Sequence, residues 1–183
     1  MFPKAHAAAY VMMAWRIAYC KIFYPLAYYA AFFSIRASAF SYEIMCQGRD
    51  KLEYYLADYK KRSDTLSKKE QDTLRDMRIV QEMYARGFTF MPIDIYKAKA
   101  RECQIIDGKI MPPLSSVEGL GDKACEQVEE AAKHGPFTSL ENFRNQAKVS
   151  KTNVDKMVEL GILTGLPETD QLTFDFFMTQ GSA

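Results

Sequence analysis

The sequence predicts a mainly α protein with one small β-hairpin, and three observations carry that reading. Long stretches are built from alanine, methionine, leucine and other good helix formers at helical spacing. Asp107-Gly108 lies between two short apolar segments, the pattern of a two-residue hairpin turn whose residues both need positive φ. Gly119-Leu120-Gly121 joins two further short helical segments. At 183 residues, 48% hydrophobic, with 24 basic against 23 acidic side chains, the chain suits one ordinary globular domain or two small ones. Intrinsic disorder, collagen and a strongly basic nucleic-acid arm are disfavoured.

The first 42 residues depart from these averages. They hold no Asp or Glu, four Lys/Arg and 12 of the 24 aromatic side chains. Ala5 to about Phe23 reads as one helix, ended because Pro25 biases the residue before it away from helical geometry. Leu26 to Ala37 reads as a second. Both are apolar nearly all the way round, so each needs cover on every side. Neither is expected to cross a membrane, which takes roughly 20 uninterrupted apolar residues. The run between Lys21 and Arg36 has 14 residues and contains Pro25, and the run between Lys4 and Arg16 has 11. No basic cluster precedes a clean apolar core and cleavage site, so no secretory signal is expected and the chain reads as cytoplasmic.

Polar-faced helices follow from Tyr42 to about Arg62 and from Ser67 to Arg86. Ser67-Lys68-Lys69-Glu70 is a capping box, in which the serine hydroxyl accepts a free backbone N–H and the glutamate reaches back. Leu74, Met77, Val80, Met83 and Tyr84 form one apolar stripe, and Gly87 is placed to close the helix in a left-handed cap. A short β segment is predicted over Thr89 to Tyr96. The hairpin is Glu102–Ile106 paired with Lys109–Met111, stopped by Pro112 and Pro113. Leu114 to Gly165 reads as four short helices, and an apolar tail follows Pro167.

Cys20, Cys46, Cys103 and Cys125 are 26, 57 and 22 residues apart, with no Cys-x-x-Cys pair or neighbouring histidine. They read as free thiols, and no metal site is expected.

The chemistry concentrates around Leu114–Val128, where a short helix leads into apolar-x-Gly-apolar-Gly and then a second helix. This resembles the helix-hairpin-helix motif. Its glycines let backbone approach a phosphate, Leu120 plugs inward to fix the helices, and the free N–H groups of the second helix favour an anion. Lys123 can add a charge-assisted contact. Contacts of this kind read the sugar-phosphate backbone, so binding would be sequence-independent and salt-sensitive. The competing reading is a tight interhelical turn with no ligand. Phe137 to Lys156 looks like a second copy: Thr138-Ser139-Leu140-Glu141 caps one helix, and Lys148-Val149-Ser150-Lys151 leads into another ending at Gly161. It lacks the paired glycines, so either it binds phosphate through Ser150 and Lys151 or it is mainly structural. The residues expected at duplex DNA are Ser116, Gly119, Leu120, Gly121, Lys123, Ser150 and Lys151.

Phe2-Pro3-Lys4-Ala5-His6-Ala7-Ala8-Ala9-Tyr10 resembles a signature of bacterial C-family replicative polymerases. Through Arg16-Ile17-Ala18-Tyr19, Pro25-Leu26-Ala27-Tyr28-Tyr29 and Ile35-Arg36-Ala37 the resemblance is to the PolC type, the DNA polymerase III α subunit of Gram-positive bacteria. It continues through Arg86-Gly87-Phe88, Pro112-Pro113, the two hairpins and Asp170-Gln171-Leu172, covering essentially the whole chain. The resemblance implies a C-terminal fragment with four parts: residues 1–40 ending the polymerase fingers, a helical and β-hairpin connector over 41–113, a tandem helix-hairpin-helix domain over 114–166, and a flexible tail over 167–183. It implies that Lys4 and His6 lie near the phosphates of the incoming nucleotide. The bland alternatives are a surface lysine and a helix-capping histidine.

The resemblance also implies that Gln171, Leu172, Phe174 and Phe176 enter a pocket on the sliding clamp, with Phe174 at a position commonly held by leucine. A hydrophobic terminus folded back on the domain is the alternative. The polymerase palm, whose carboxylates hold two metal ions, has no counterpart here. No catalytic or metal residue is therefore expected in this fragment, and Mg2+ belongs to the parent enzyme. The expected partners are duplex DNA, the sliding clamp, the rest of the polymerase chain and the replisome, in a nucleoid-associated cytoplasmic setting, with no membrane. The rival classes are a free-standing helix-hairpin-helix module of repair or recombination, and an interaction protein docking through its apolar N-terminus.

Overall fold

The computed structural model describes residues 3–170. Eight α-helices and one two-stranded antiparallel sheet occur among them, which is the mainly α fold with a single hairpin that the sequence predicts. The helices are α1 (Lys4–Phe23), α2 (Pro25–Ile35), α3 (Tyr42–Met45), α4 (Arg49–Lys61), α5 (Lys68–Ala85), α6 (Asp122–Ala132), α7 (Leu140–Ala147) and α8 (Lys151–Glu159), and the strands are β1 (Gln104–Ile106) and β2 (Lys109–Met111). Pro25 opens α2 at its first turn, where the missing N–H costs nothing.

Several local expectations hold. The α5 capping box is complete: Glu70 N donates to Ser67 Oγ at 3.3 Å, and Ser67 N donates to Glu70 Oε2 at 2.8 Å. At the far end Gly87 has φ +82, and Phe88 N reaches back to Met83 O at 3.1 Å. Asp107 and Gly108 turn the hairpin with φ +49 and +73, setting Ile105 opposite Ile110.

Others need correction. The helix expected over Tyr42–Arg62 is two helices, because Gly48 at φ +103 interrupts it and starts α4 afresh. The second helix ends at Ile35, two residues short of Ala37. The segment Thr89–Tyr96 is not a strand. Only Phe90 bridges to Ile110, since Pro92 has no N–H to extend a ladder and Asp94 turns the chain by accepting from Tyr96 N at 3.0 Å. The first of the four helices expected after Leu114 is a single 3-10 turn, Leu114–Ser116, confined between Pro113 and Gly119.

Two apolar cores result. One gathers Tyr29 and Phe33 of α2, Met45, Leu52 of α4, the α5 stripe of Met77, Val80 and Met83, and Ile110. The other gathers Ile93, Ile95, Met111, Leu114 and the buried faces of α6, α7 and α8, including Val128, Phe143 and Met157. The hairpin serves both.

α1 lies outside either core. Residues 4–20 are all exposed, and the cover that so apolar a helix requires is not supplied by the described residues. Its last turn is held: Lys21 Nζ donates to Glu82 Oε2 at 2.7 Å, and Arg86 donates to the Lys21 carbonyl at 3.0 Å. No helix among the described residues is long and apolar enough to cross a membrane.

Candidate nucleic-acid interface

The first hairpin is built by short-range bonds. Val117 N closes on Leu114 O at 3.1 Å and Leu120 N on Val117 O at 3.2 Å. Gly119 takes φ +87, a conformation that a Cβ strains. Leu120 turns inward, 6% exposed, and packs in the core that contains Cys125 and Val128. Gly121 then caps α6 with φ −68 and ψ 158, and no side chain occupies the cap. Nothing lies within 4 Å of where a Gly121 Cβ would sit. Neither backbone angle nor packing asks for glycine there, so its effect is to leave the helix entrance open.

The second hairpin repeats this geometry with different side chains. Lys148 has φ +52 where Gly119 has +87, Val149 is buried as Leu120 is, and Ser150 caps α8 with φ −69 and ψ 155. Gly121 and Ser150 thus share the extended conformation of an N-cap, as Ser67 of α5 also does. Ser150 Oγ accepts from Asn153 N at 3.2 Å, and Ser139 caps α7 by accepting from Asn142 N at 3.0 Å. The two hairpins adjoin, since a Cβ added at Gly119 would lie 3.9 Å from Asn153 Oδ1.

Of the residues expected at DNA, Gly119, Gly121, Lys123, Ser150 and Lys151 are exposed on this double entrance. Ser116 and Leu120 are buried. The Ser116 hydroxyl donates to Pro113 O at 2.5 Å inside the 3-10 turn, so it acts as a local lock rather than a surface donor. Lys148 and Asn153 were missed by the sequence reading. The signal that finds them is the register placing Val149-Ser150 on Leu120-Gly121.

α6 also has an acidic ridge, Asp122, Glu126 and Glu129, and the segment 99–101 forms ion pairs along it. Lys99 Nζ meets Glu129 at 3.0 Å, Ala100 N donates to Glu129 at 2.7 Å, and Arg101 meets Glu126 at 2.9 Å and Asp122 at 3.4 Å. Burial pushes the Glu129 carboxyl up, but the Ala100 N–H and Lys99 outweigh it and hold it below its ordinary value. A second ion pair, Lys156 Nζ to Glu43 Oε2 at 2.8 Å, ties α8 to α3.

Lys4 and His6 stand on the first turns of α1, both exposed, with the His6 ring 4.5 Å from that of Tyr10. Gln171, Leu172, Phe174 and Phe176 lie outside the described residues. Among the described residues no three His, Cys, Asp or Glu side chains come together as a metal site requires. The cysteines are free. Burial raises Cys103 and Cys125 to about 11 and Cys46 well above its ordinary value, which makes these three poor nucleophiles.

A helix-hairpin-helix motif family matches residues 87–171, which contain both hairpins and the segment that braces them. The chain is 43% identical over 181 residues to DNA polymerase III PolC-type of Streptococcus pyogenes serotype M5, covering 97% of this chain. It is 40% identical over 173 residues to the protein of that name from Clostridium perfringens, and 39% identical over 173 residues to that of Caldanaerobacter subterraneus subsp. tengcongensis. In each case it spans 12% of the relative's length. By sequence, then, nearly the whole chain is the counterpart of one segment of the PolC-type DNA polymerase III proteins.

Proposed function

We propose that this segment grips duplex DNA by its sugar-phosphate backbone, without regard to sequence, as part of a DNA-directed DNA polymerase. The observation that carries the proposal is the paired entrance: two helices capped by the same backbone conformation, side by side, with exposed Lys123, Lys148 and Lys151 around them. First-turn N–H groups and the helix dipole favour an anion there. Binding to a fluorescent duplex, followed against salt, tests it. Affinity that falls steeply as salt rises and is equal for unrelated sequences is expected. Undetectable binding at low salt would overturn it.

The other roles follow from the relation to the polymerases. α1 and α2 serve as the end of the fingers, with Lys4 and His6 on the side of the incoming nucleotide's phosphates. The bare apolar surface of α1 supports this, because it calls for cover from the rest of a longer chain. Residues 41–113 connect, 114–166 bind DNA, and 167–183 form a tail through which Gln171, Leu172, Phe174 and Phe176 hold the sliding clamp. The parent reaction is template-directed nucleotidyl transfer with Mg2+, and the residues described here do not fit a metal ion. On this reading the isolated segment is inactive, and primer extension by it would disprove that. Loss of clamp capture on replacing Gln171, or Phe174 with Phe176, tests the tail, and weaker apparent nucleotide affinity of a full-length Lys4→Ala enzyme tests the fingers. The working location is the nucleoid, in the cytoplasm.

A further inference from the structure

The two entrances differ in the sign of the charge at the first helical residue. The first residue of α8 is Lys151, a cation beside its hairpin, whereas the first residue of α6 is Asp122. An acidic residue in a first turn stabilises its own helix through the dipole, but it repels any phosphate approaching the same N–H groups. Glu126, one turn on, adds to the repulsion. Resting on the DNA-binding reading above, we propose that Arg101 is the positioning residue that makes the first hairpin competent for phosphate, by neutralising Asp122 and Glu126 from outside the motif.

The geometry for this is specific. One guanidinium nitrogen of Arg101 lies 3.4 Å from Asp122 Oδ2 and 2.9 Å from Glu126 Oε1, so a single cation covers both carboxylates. The backbone that delivers it is held on two sides. Ala100 N donates to Glu129 at 2.7 Å, while Leu114 N and Ser115 N, at the root of the first hairpin, donate to Lys99 O and Ala100 O at 2.9 Å each. The segment 99–101 therefore joins the acidic ridge of α6 to the turn that leads into Gly119. Arg101 supplies to hairpin one the charge balance that Lys151 supplies to hairpin two. It acts through Asp122 and makes no phosphate contact of its own.

Duplex affinity measured against salt for the intact chain and its variants tests this. Arg101→Ala is expected to bind about threefold to tenfold more weakly at low salt, the size of one unscreened charge several ångströms from a phosphate. The salt slope becomes shallower by only a fraction of one, because the lost charge effect is screened while no contact to DNA is removed. Adding Asp122→Asn to Arg101→Ala restores most of the affinity, and Arg101→Lys retains it. Should Arg101→Ala lose helicity by circular dichroism, Arg101→Gln keeps the stem and carries the same expectation. Unchanged affinity of Arg101→Ala overturns the proposal. So does a slope shallower by about one with no rescue by Asp122→Asn, since that result means direct phosphate contact. A parent chain that binds no duplex overturns the DNA-binding reading itself, and is distinguished by needing no variant.

Discussion

Ile110 and Met111 are neighbours on β2, both fully buried, and each belongs to a different core. Alternation along a strand sends Ile110 into the α2–α5 layer and Met111 toward the hairpin repeat. The strand is thus the shared wall between the α2–α5 core and the α6–α8 core. Ile110→Ala and Met111→Ala are each expected to cost about 2–4 kcal/mol. Because the wall is shared, urea unfolding of either variant followed by circular dichroism should remain one transition. Two separated transitions would show that the cores unfold independently.

Gly119 and Gly121 separate folding from binding. Gly119→Ala forces a Cβ into φ +87 and is expected to destabilise by about 1–2 kcal/mol, lowering Tm. Gly121→Ala has an ordinary φ and open space and loses only the N-cap preference for glycine over alanine, so the cost should stay below about 1 kcal/mol. Its duplex affinity should nevertheless fall, as the methyl stands at the entrance to α6. Equal affinity of Gly121→Ala and parent would mean that phosphate does not approach there.

Lys148 presents the opposite balance. A lysine at φ +52 is strained, and Lys148→Gly relieves this by up to about 1 kcal/mol, raising Tm. The same change removes a cation from the second hairpin, so a more stable protein should bind duplex more weakly. If Lys148 meets a phosphate, the salt slope becomes shallower by about one.

The attachment of α1 depends on pH. Desolvation pushes the Glu82 carboxyl up, but hydrogen bonds from Lys21 at 2.7 Å and Tyr29 at 3.0 Å outweigh it and hold Glu82 below its ordinary value. A carboxyl depressed on folding contributes stability above its unfolded value and loses it as pH falls through the folded one. The only tryptophan, Trp15, sits on α1 and is exposed, so its fluorescence anisotropy reports the mobility of that helix. Anisotropy should hold through the ordinary glutamate range and drop as pH is lowered below it. Glu82→Gln should show the low value already at neutral pH. An acid-insensitive signal in both proteins would remove Glu82 as the anchor.

The proposed duplex contact is the Gly-Leu-Gly turn and its counterpart before α8, and both are legible because their signals are short. The Ser67–Glu70 box, the Asp107-Gly108 turn and the Gly87 cap are legible for the same reason: backbone angles and capping bonds within five residues dictate them. Pattern alone could not give the register that puts Lys148 in the place of Gly119. Nor could it show that Ser116, polar and next to the motif, is turned inward by a single 3-10 turn.

What the sequence determined by itself is the class of fold, the two hairpins and the kinship with the polymerases, since these depend on local chemistry and on order along the chain. What only the tertiary structure decided is which faces meet. Arg101 reaches Asp122 across 21 positions of sequence because the 99–101 segment is pinned to the root of the first hairpin. The acid-free aromatic helix α1 stays exposed because both cores close without it, while its last turn is tied to Glu82 and Arg86. Packing of distant segments is set by the whole set of apolar faces at once, and no local pattern encodes it.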